Sequence, residues 1–467
     1  MIRELSAVLF LLMLLIVLAS KNSNAEQHEA CQPSEADYSE DSEETTTLFG
    51  RLNNTWNESS LAEGYKEHFK TRLEYRNFSY FEDGNRQDQR RSLNEFQAEV
   101  EYDATVTGSV RVYVDALLWL DDDDYAEGFV DELEDDDVKR NKFNLPEFFV
   151  DLYFDNLDMR VGKQVVAWGK ADSINPTDNV NPQDLSNLFG QDQEIGVPAV
   201  KLDYYIGDFT IEGVFVPTFT PARLPPLDSR LSVVDISDIP LPINDPDLPS
   251  NNIDNSQYAI RVLTTYRGWD FSASFYDGFN DFPNVRLDPD FPLPSLTPVY
   301  NKLRVIGGDF ATTFGRWGAH GEAAQFLSDG DVEDSYLQYV LGIDFRQSDI
   351  VFDHDLFAIV EYIGEHVTNE GESTFPIQTE AMVNRVFSNS LFVHIEYEFS
   401  DYFRLDFEGM VNLDNGEDYF LKPEFSYDIN DNLTIALGFD FLWGPNDTFF
   451  GQFDESDRIY TKLTYTF

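Results

Sequence analysis

The sequence predicts an all-β fold: a transmembrane antiparallel β-barrel of about 18 strands, preceded by a cleaved signal peptide. Three features predict it. Long segments alternate apolar and polar side chains with period two, the links between them alternate between tight and long, and an apolar leader opens the chain.

Arg3 precedes an unbroken apolar run from Ala7 to Ala19, and Ser23-Asn24-Ala25 follows with small residues at −3 and −1 of a cut. A run of about 13 apolar residues falls short of the roughly 20 that span a bilayer as a helix, so residues 1–25 are expected to be a signal peptide. Residues 26–64 form a short periplasmic N-terminal segment in this scheme, too few for a plug domain, and residues 65–467 form the barrel.

Period-two alternation is clearest near the C-terminus. Leu433, Ile435, Leu437, Phe439, Phe441 and Trp443 share one face, while Thr434, Ala436, Gly438 and Asp440 share the other. Leu391, Val393, Ile395, Tyr397 and Phe399 likewise oppose His394, Glu396 and Glu398. Val110, Val112 and Val114 oppose Arg111, Tyr113 and Asp115. A soluble sandwich yields one or two such strands, rarely so many of this length. The chain ends Leu463, Thr464, Tyr465, Thr466, Phe467, an alternating strand with a terminal aromatic, which resembles the signal read by the barrel assembly machinery.

Tight links are expected near Thr107-Gly108, Asn156-Leu157, Gly207-Asp208, Arg267-Gly268, Gly315-Arg316, Ser348-Asp349, Ser400-Asp401 and Asn430-Asp431. Longer links fall at 80–91, 121–142, 170–196, 220–255, 282–299, 328–334, 367–378, 413–417 and 444–456. Short periplasmic turns alternating with longer external loops are the rhythm of outer-membrane barrels.

Composition closes other routes. With 40 Phe and 23 Tyr the chain carries far more apolar surface than a disordered one. A net charge of −54 excludes nucleic acid as a partner, since binding it requires Lys and Arg against phosphates. The single cysteine, Cys31, excludes a disulfide framework. No Gly-x-Ser-x-Gly occurs and no Ser adjoins a His in any strand register, so no catalytic residues and no enzyme activity are expected. Asp329-x-Asp331-x-Glu333 and Asp178 to Asp184 offer oxygen ligands but lack the full calcium-loop pattern. No histidine pair stands four apart, as a zinc helix would require. No metal or cofactor is therefore expected.

The stretch from Met159 runs MRVGKQVVAWGKADSINPTDNVNPQDLSNLFGQDQEIGVPAVKLDY. It resembles a family of Gram-negative outer-membrane proteins of unknown function that carry an Arg-x-Gly-x-Gln strand, a Trp-Gly step and a loop with Asn-Pro. Arg160, Gly162, Gln164, Trp168, Gly169, Asn181, Pro182, Asp184 and Pro198 carry the resemblance, and Lys170 departs from the acidic residue usual after Trp-Gly. A looser likeness links the chain to alginate-export and substrate-specific porins. The resemblance implies transport and names no cargo.

On a strand from Met159 to Trp168, alternation aims Arg160, Gln164 and Trp168 into the lumen, with Lys163 an exception on the outer face. The loop 170–198, with Asn-Pro pairs at Asn175 and Asn181, either folds inward as a constriction or caps the outside. Candidate pore and constriction residues are Arg160, Gln164, Trp168, Lys170, Asp172, Arg111, Arg304 and Arg404. Beside Asp115, Asp406, Glu396 and Glu398 they make a mixed interior. Residues 121–137 hold eleven acidic residues in seventeen, an external loop that enriches cations or bridges lipopolysaccharide.

The expected function is a porin-like channel for passive, substrate-selective passage of small solutes, with a non-conducting receptor or structural barrel as the first alternative and a barrel enzyme as the second. Its partners would be outer-membrane lipid, lipopolysaccharide, an unidentified solute and the assembly machinery. Monomer and homo-oligomer both fit.

Overall fold

The computed structural model describes residues 68–84, 88–122, 140–190, 193–233, 241–289, 293–328, 333–348, 354–371, 385–414 and 416–467. The signal peptide 1–25, the segment 26–64, residues 123–137 of the acidic stretch, Asp329 and Asp331 lie outside the described residues.

Eighteen strands form one antiparallel sheet. They are β1 (Phe69–Tyr80), β2 (Ser92–Thr107), β3 (Val110–Asp121), β4 (Phe143–Tyr153), β5 (Leu157–Gln164), β6 (Val197–Ile206), β7 (Phe209–Val216), β8 (Gln257–Tyr266) and β9 (Trp269–Phe279). The second half comprises β10 (Lys302–Phe314), β11 (Trp317–Ser328), β12 (Ser335–Gln347), β13 (Asp355–Asn369), β14 (Asn389–Ser400), β15 (Phe403–Asn412), β16 (Tyr419–Asn430), β17 (Leu433–Trp443) and β18 (Arg458–Thr466). Each strand pairs with the next, and β1 pairs with β18 from Arg72 opposite Thr466 to Tyr80 opposite Arg458. This last ladder closes the sheet, so no edge is left unpaired, which is what lipid demands of a β-structure.

The faces are inverted relative to a soluble protein. On β17 the outward Leu437 is 39% exposed and Trp443 62%, while inward Ala436 and Leu442 are 2% exposed. Outward Ile306, Leu341, Ile343 and Leu463 repeat the pattern on other strands. A surface of exposed Ile, Leu and Phe this extensive is stable only against acyl chains. Near the tight links the outer face changes to aromatic side chains, with Tyr204, Tyr266, Phe314, Trp317 and Tyr427 all exposed, as an interfacial girdle requires.

Seven of the eight expected tight links join consecutive strands directly; the eighth, at Ser348-Asp349, lies between strands ending at Gln347 and beginning at Asp355, with 349–353 outside the described residues. At Arg267-Gly268 both residues have positive φ (54° and 82°), the pair that lets a two-residue hairpin match the strand twist. Two long links carry small hairpins of their own, Asn284–Asp288 with Ser295–Val299 and Gln183–Asp184 with Gln193–Glu194. The two largest apolar clusters among the described residues are built jointly by inward wall residues and by the long links.

Candidate functional site

The link after β5 is an inserted loop, and its departure from the wall begins at one glycine. Gly162 has φ +141°, and a Cβ there would lie 2.2 Å from the Phe148 carbonyl oxygen and 2.7 Å from Phe149 Cα. Any other residue would be strained in that conformation. The bend breaks the alternation, so β5 ends at Gln164 and does not run on to Trp168 as periodicity suggests. Lys163 consequently turns inward, 4% exposed, beside Asp184 and Glu194 rather than toward lipid.

A chain leaving a sheet must satisfy its backbone groups elsewhere. Asn181 supplies the substitute: its Oδ1 accepts from Val166 N at 2.8 Å, and its Nδ2 donates to Gln164 O at 3.0 Å and Ile195 O at 2.8 Å. Both ends of the loop are thus tied by one amide. Asp178 Oδ2 accepts from Trp168 N at 2.9 Å. Burial, then the charge of Glu194, pushes the Asp178 carboxyl well above the usual carboxylate range.

The loop then crosses the lumen to strands far around the ring. Glu322 on β11, 3% exposed, accepts from the N–H groups of Lys170 at 3.3 Å, Ala171 at 2.9 Å and Thr177 at 3.2 Å, and from Thr177 Oγ1 at 2.6 Å. Glu361 on β13 is fully buried and accepts from Asp172 N and Ser173 N, each at 2.8 Å. In a ring of eighteen, β13 lies eight strands from β5, so this contact spans nearly the full diameter. Farther along, Asn187 Oδ1 accepts from Arg458 Nη2 on β18 at 3.2 Å, Ser186 Oγ accepts from Arg140 Nη1 at 3.1 Å, and Asp184 pairs with Arg223 at 3.3 Å.

Two cavities flank the loop tip at Phe189-Gly190. One, of about 390 Å³, opens among Phe189, Phe387, Phe392, Phe420, Phe449 and Phe450 on the long-link side. The other, of about 310 Å³, is bounded by Arg76, Arg404, Asp406, Glu424, Arg458 and Lys462 on the tight-turn side. Inner-wall charges there form a paired belt: Arg72–Glu99 at 2.8 Å, Lys201–Asp203 at 2.9 Å, Arg404–Asp406 at 3.1 Å and Lys462–Glu424 at 2.8 Å.

Seven of the eight candidate residues fall into four groups. Arg111 and Arg160 belong to the paired belt, sharing Asp151 at 2.9 Å and 2.7 Å, and Arg160 also lies 3.7 Å over the Phe149 ring. Arg404 faces the second cavity. Lys170 and Asp172 ride on the inserted loop, where Lys170 is exposed and Asp172 lines the larger cavity. Gln164 and Trp168 are buried at 0% and 4%, the first donating to Gly162 O and Ala199 O, the second packed with Val166, Val197 and Val214, so they brace the loop base and face no open channel.

Arg304 is a correction. Inward positions on β10 are Leu303, Val305, Gly307 and Asp309, so Arg304 shares the outer face with exposed Ile306 and pairs with Asp277 at 3.2 Å. It stands at the long-link end of its strand, where an interfacial Arg can reach water while its stem lies along lipid.

Sequence reasoning missed Glu322, Glu361 and Asn181 as the loop's anchors. Their partners lie 145 to 189 residues away for the glutamates, so no local pattern marks them. One donor group in the described residues could hold a metal: Asp172, His320 and Glu361, with one ligand atom from each within 4.8 Å of the others. His320 Nε2 lies 2.7 Å from Glu361 Oε1, and both oxygens of that carboxylate already accept backbone N–H groups, which is the geometry of a latch. Asp178 and Asp184, considered above as oxygen ligands, are engaged with Glu194 and Arg223. Glu333 accepts from Asn284, Asn301 and Ser328.

Solved structures with a similar course include OccK11 (OpdR) of Pseudomonas aeruginosa, at TM-score 0.45 and 9% identity over 85% of this chain and 94% of that one. OccK3 (OpdO) of the same organism gives 0.45 and 12% over 86% and 96%. Wzi of Escherichia coli, an outer membrane protein involved in group 1 capsule assembly and described as a carbohydrate-binding β-barrel, gives 0.46 and 10% over 87% and 86%. No curated protein sequence matches the chain. A family described as protein of unknown function (DUF1302) matches residues 6–467, nearly the whole length, and the chain belongs to that family.

Proposed function

We propose that the protein is an outer-membrane channel for passive passage of small solutes, narrowed midway by the loop after β5. One observation carries the reading: that loop is hydrogen-bonded to the inner wall at β11, β13 and β18, with a cavity on each side of its tip. A loop serving only as an external cap would have no need of two buried wall glutamates, since burying an unpaired carboxylate is costly and most of the hydrogen bonds to these two come from the loop. Within this reading Lys170, Asp172 and Arg404 face the solute path. Arg111 and Arg160 set the mixed field of the tight-turn mouth. Gram-negative outer membrane is the compartment, because a closed, outwardly apolar barrel with an aromatic girdle fits there.

Single-channel recording in planar bilayers tests the function. Ohmic current steps are expected from the wild type; a correctly folded barrel that inserts and passes no current refutes it.

A further inference from the structure

The inner wall is apolar where a water-filled lumen is expected to be polar. Directly opposed positions on four neighbouring strands form an unbroken row, Phe392 on β14, Met410 on β15, Phe420 on β16 and Leu442 on β17. Val340 and Ile363, opposed on β12 and β13, belong to the same apolar cluster and are completely buried.

Long links bring a second aromatic wall against this row. Phe450 lies 5.2 Å from Phe420, 6.0 Å from Phe387 and 6.5 Å from Phe189, ring centre to ring centre, and Phe449 lies 5.5 Å from Phe387. Phe189 belongs to the inserted loop, Phe449 and Phe450 to the link before β18. If these rings served only to pack the loops, they would be expected to close on one another at the density of a protein interior. They leave about 390 Å³ between them instead.

A cavity of that size, with an aromatic wall on one side and polar side chains such as Asn175, Asn181 and Gln183 on the other, has the proportions of a small-molecule site. Along the phenylalanine wall a ring-bearing molecule gains both burial and edge or face contacts that water does not. At the margin stand Asp172, Asp178, Glu194, Glu408 and Asp440 against one cation, Lys422. Lys422 is held by Glu408 at 3.3 Å and Asp440 by Arg458 at 2.5 Å. That balance disfavours an anion and leaves no ammonium free to neutralise one.

We infer that the chamber on the long-link side binds a small, uncharged, ring-bearing apolar molecule, the solute class that the channel proposed above admits. The identity of the class rests on that channel reading; the occupancy of the chamber does not.

The test uses the full chain in lipid nanodiscs, with empty nanodiscs subtracted and radiolabelled 1-naphthol as the probe. Saturable binding is expected, uncompeted by glucose, and weaker by about ten-fold or more in Met410→Trp, which fills the chamber without touching the outer face. Phe449→Ser, in a link and off the wall, should weaken binding in the same direction and covers the case in which Met410→Trp fails to insert. Binding equal in the wild type and both variants, or none above empty nanodiscs, overturns the inference. Conductance recorded on the same samples separates the two claims. Ohmic steps without saturable binding leave the channel standing and remove the apolar site; binding without steps supports the site and removes the channel.

Discussion

The two halves of the lumen are built on opposite principles from the same strands. Toward the tight turns, inward side chains are charged and almost every cation has a carboxylate partner, as in Arg111–Asp151, Lys201–Asp203 and Lys462–Glu424. Toward the long links, the inward positions of β14 to β17 are Phe, Met, Phe and Leu. The contrast shows where water is wanted. A paired charged belt stays hydrated and imposes no strong sign, whereas an apolar wall facing a folded-in loop excludes water and favours contact. Between them runs the loop anchored by Glu322 and Glu361, and the comparison stands or falls with that boundary.

Removing the boundary should have the largest effect. Replacing residues 170–190 by a short Gly-Ser bridge is expected to merge the two cavities and raise single-channel conductance several-fold. Unchanged conductance would place the narrowest point elsewhere.

Weakening the anchors should come next. Glu361→Ala leaves the N–H groups of Asp172 and Ser173 without their acceptor, at a cost of about 1–3 kcal/mol for each buried orphan. Glu322→Ala strips acceptors from Ala171 and Thr177 in the same way. Either variant should give fluctuating, larger currents with the barrel still resistant to unfolding in detergent; steady wild-type currents would show that the glutamates do not hold the loop.

A smaller effect is expected from pH. Asp178 and Glu194, both in the loop and not in spanning strands, have carboxyls raised above their usual range, by burial first. A raised carboxyl binds its proton more tightly in the anchored loop than in a released one, so anchoring is favoured at low pH. It weakens as pH climbs from about 4, the ordinary carboxylate value, through the raised one. Current fluctuations should therefore increase from acidic toward neutral pH, and Asp178→Asn should flatten the dependence. An opposite slope would contradict the assignment.

The least effect should follow from Arg160→Ala or Arg404→Ala. Each cation sits in a belt of many pairs, so cation preference should rise modestly, with conductance little changed. A large change in either variant would make the belt, and not the loop, the selective element.

The outer face was legible because lipid imposes a strict period of two, visible in runs such as Leu433 to Trp443. The link rhythm was legible for the same reason, since a strand must end where the bilayer does. The inner face was not, because loops decide it. Arg304 was placed inside since charge usually points away from lipid, yet the parity of β10 is set by Asp309 and Gly307, and Arg304 stands near an interface. Gln164 and Trp168 alternate correctly with Arg160 on paper, but Gly162 at positive φ ends the alternation two residues later. Glu322 and Glu361 look like ordinary lumen carboxylates until the loop is laid across them.

The central claim is that the loop after β5 already lies inside the barrel against the inner wall, and a paired-cysteine measurement tests it most directly. A Cβ built on Gly307 of β10 lies 2.8 Å from Thr177 Cγ2 in the loop, and Cys31 is the chain's single native cysteine. In a Cys31→Ser background carrying Thr177→Cys and Gly307→Cys, mild oxidation of the membrane-inserted protein is expected to join the two thiols. The current is expected to stay at the wild-type level. Thiols that stay apart under oxidation while the barrel is fully inserted would contradict the account.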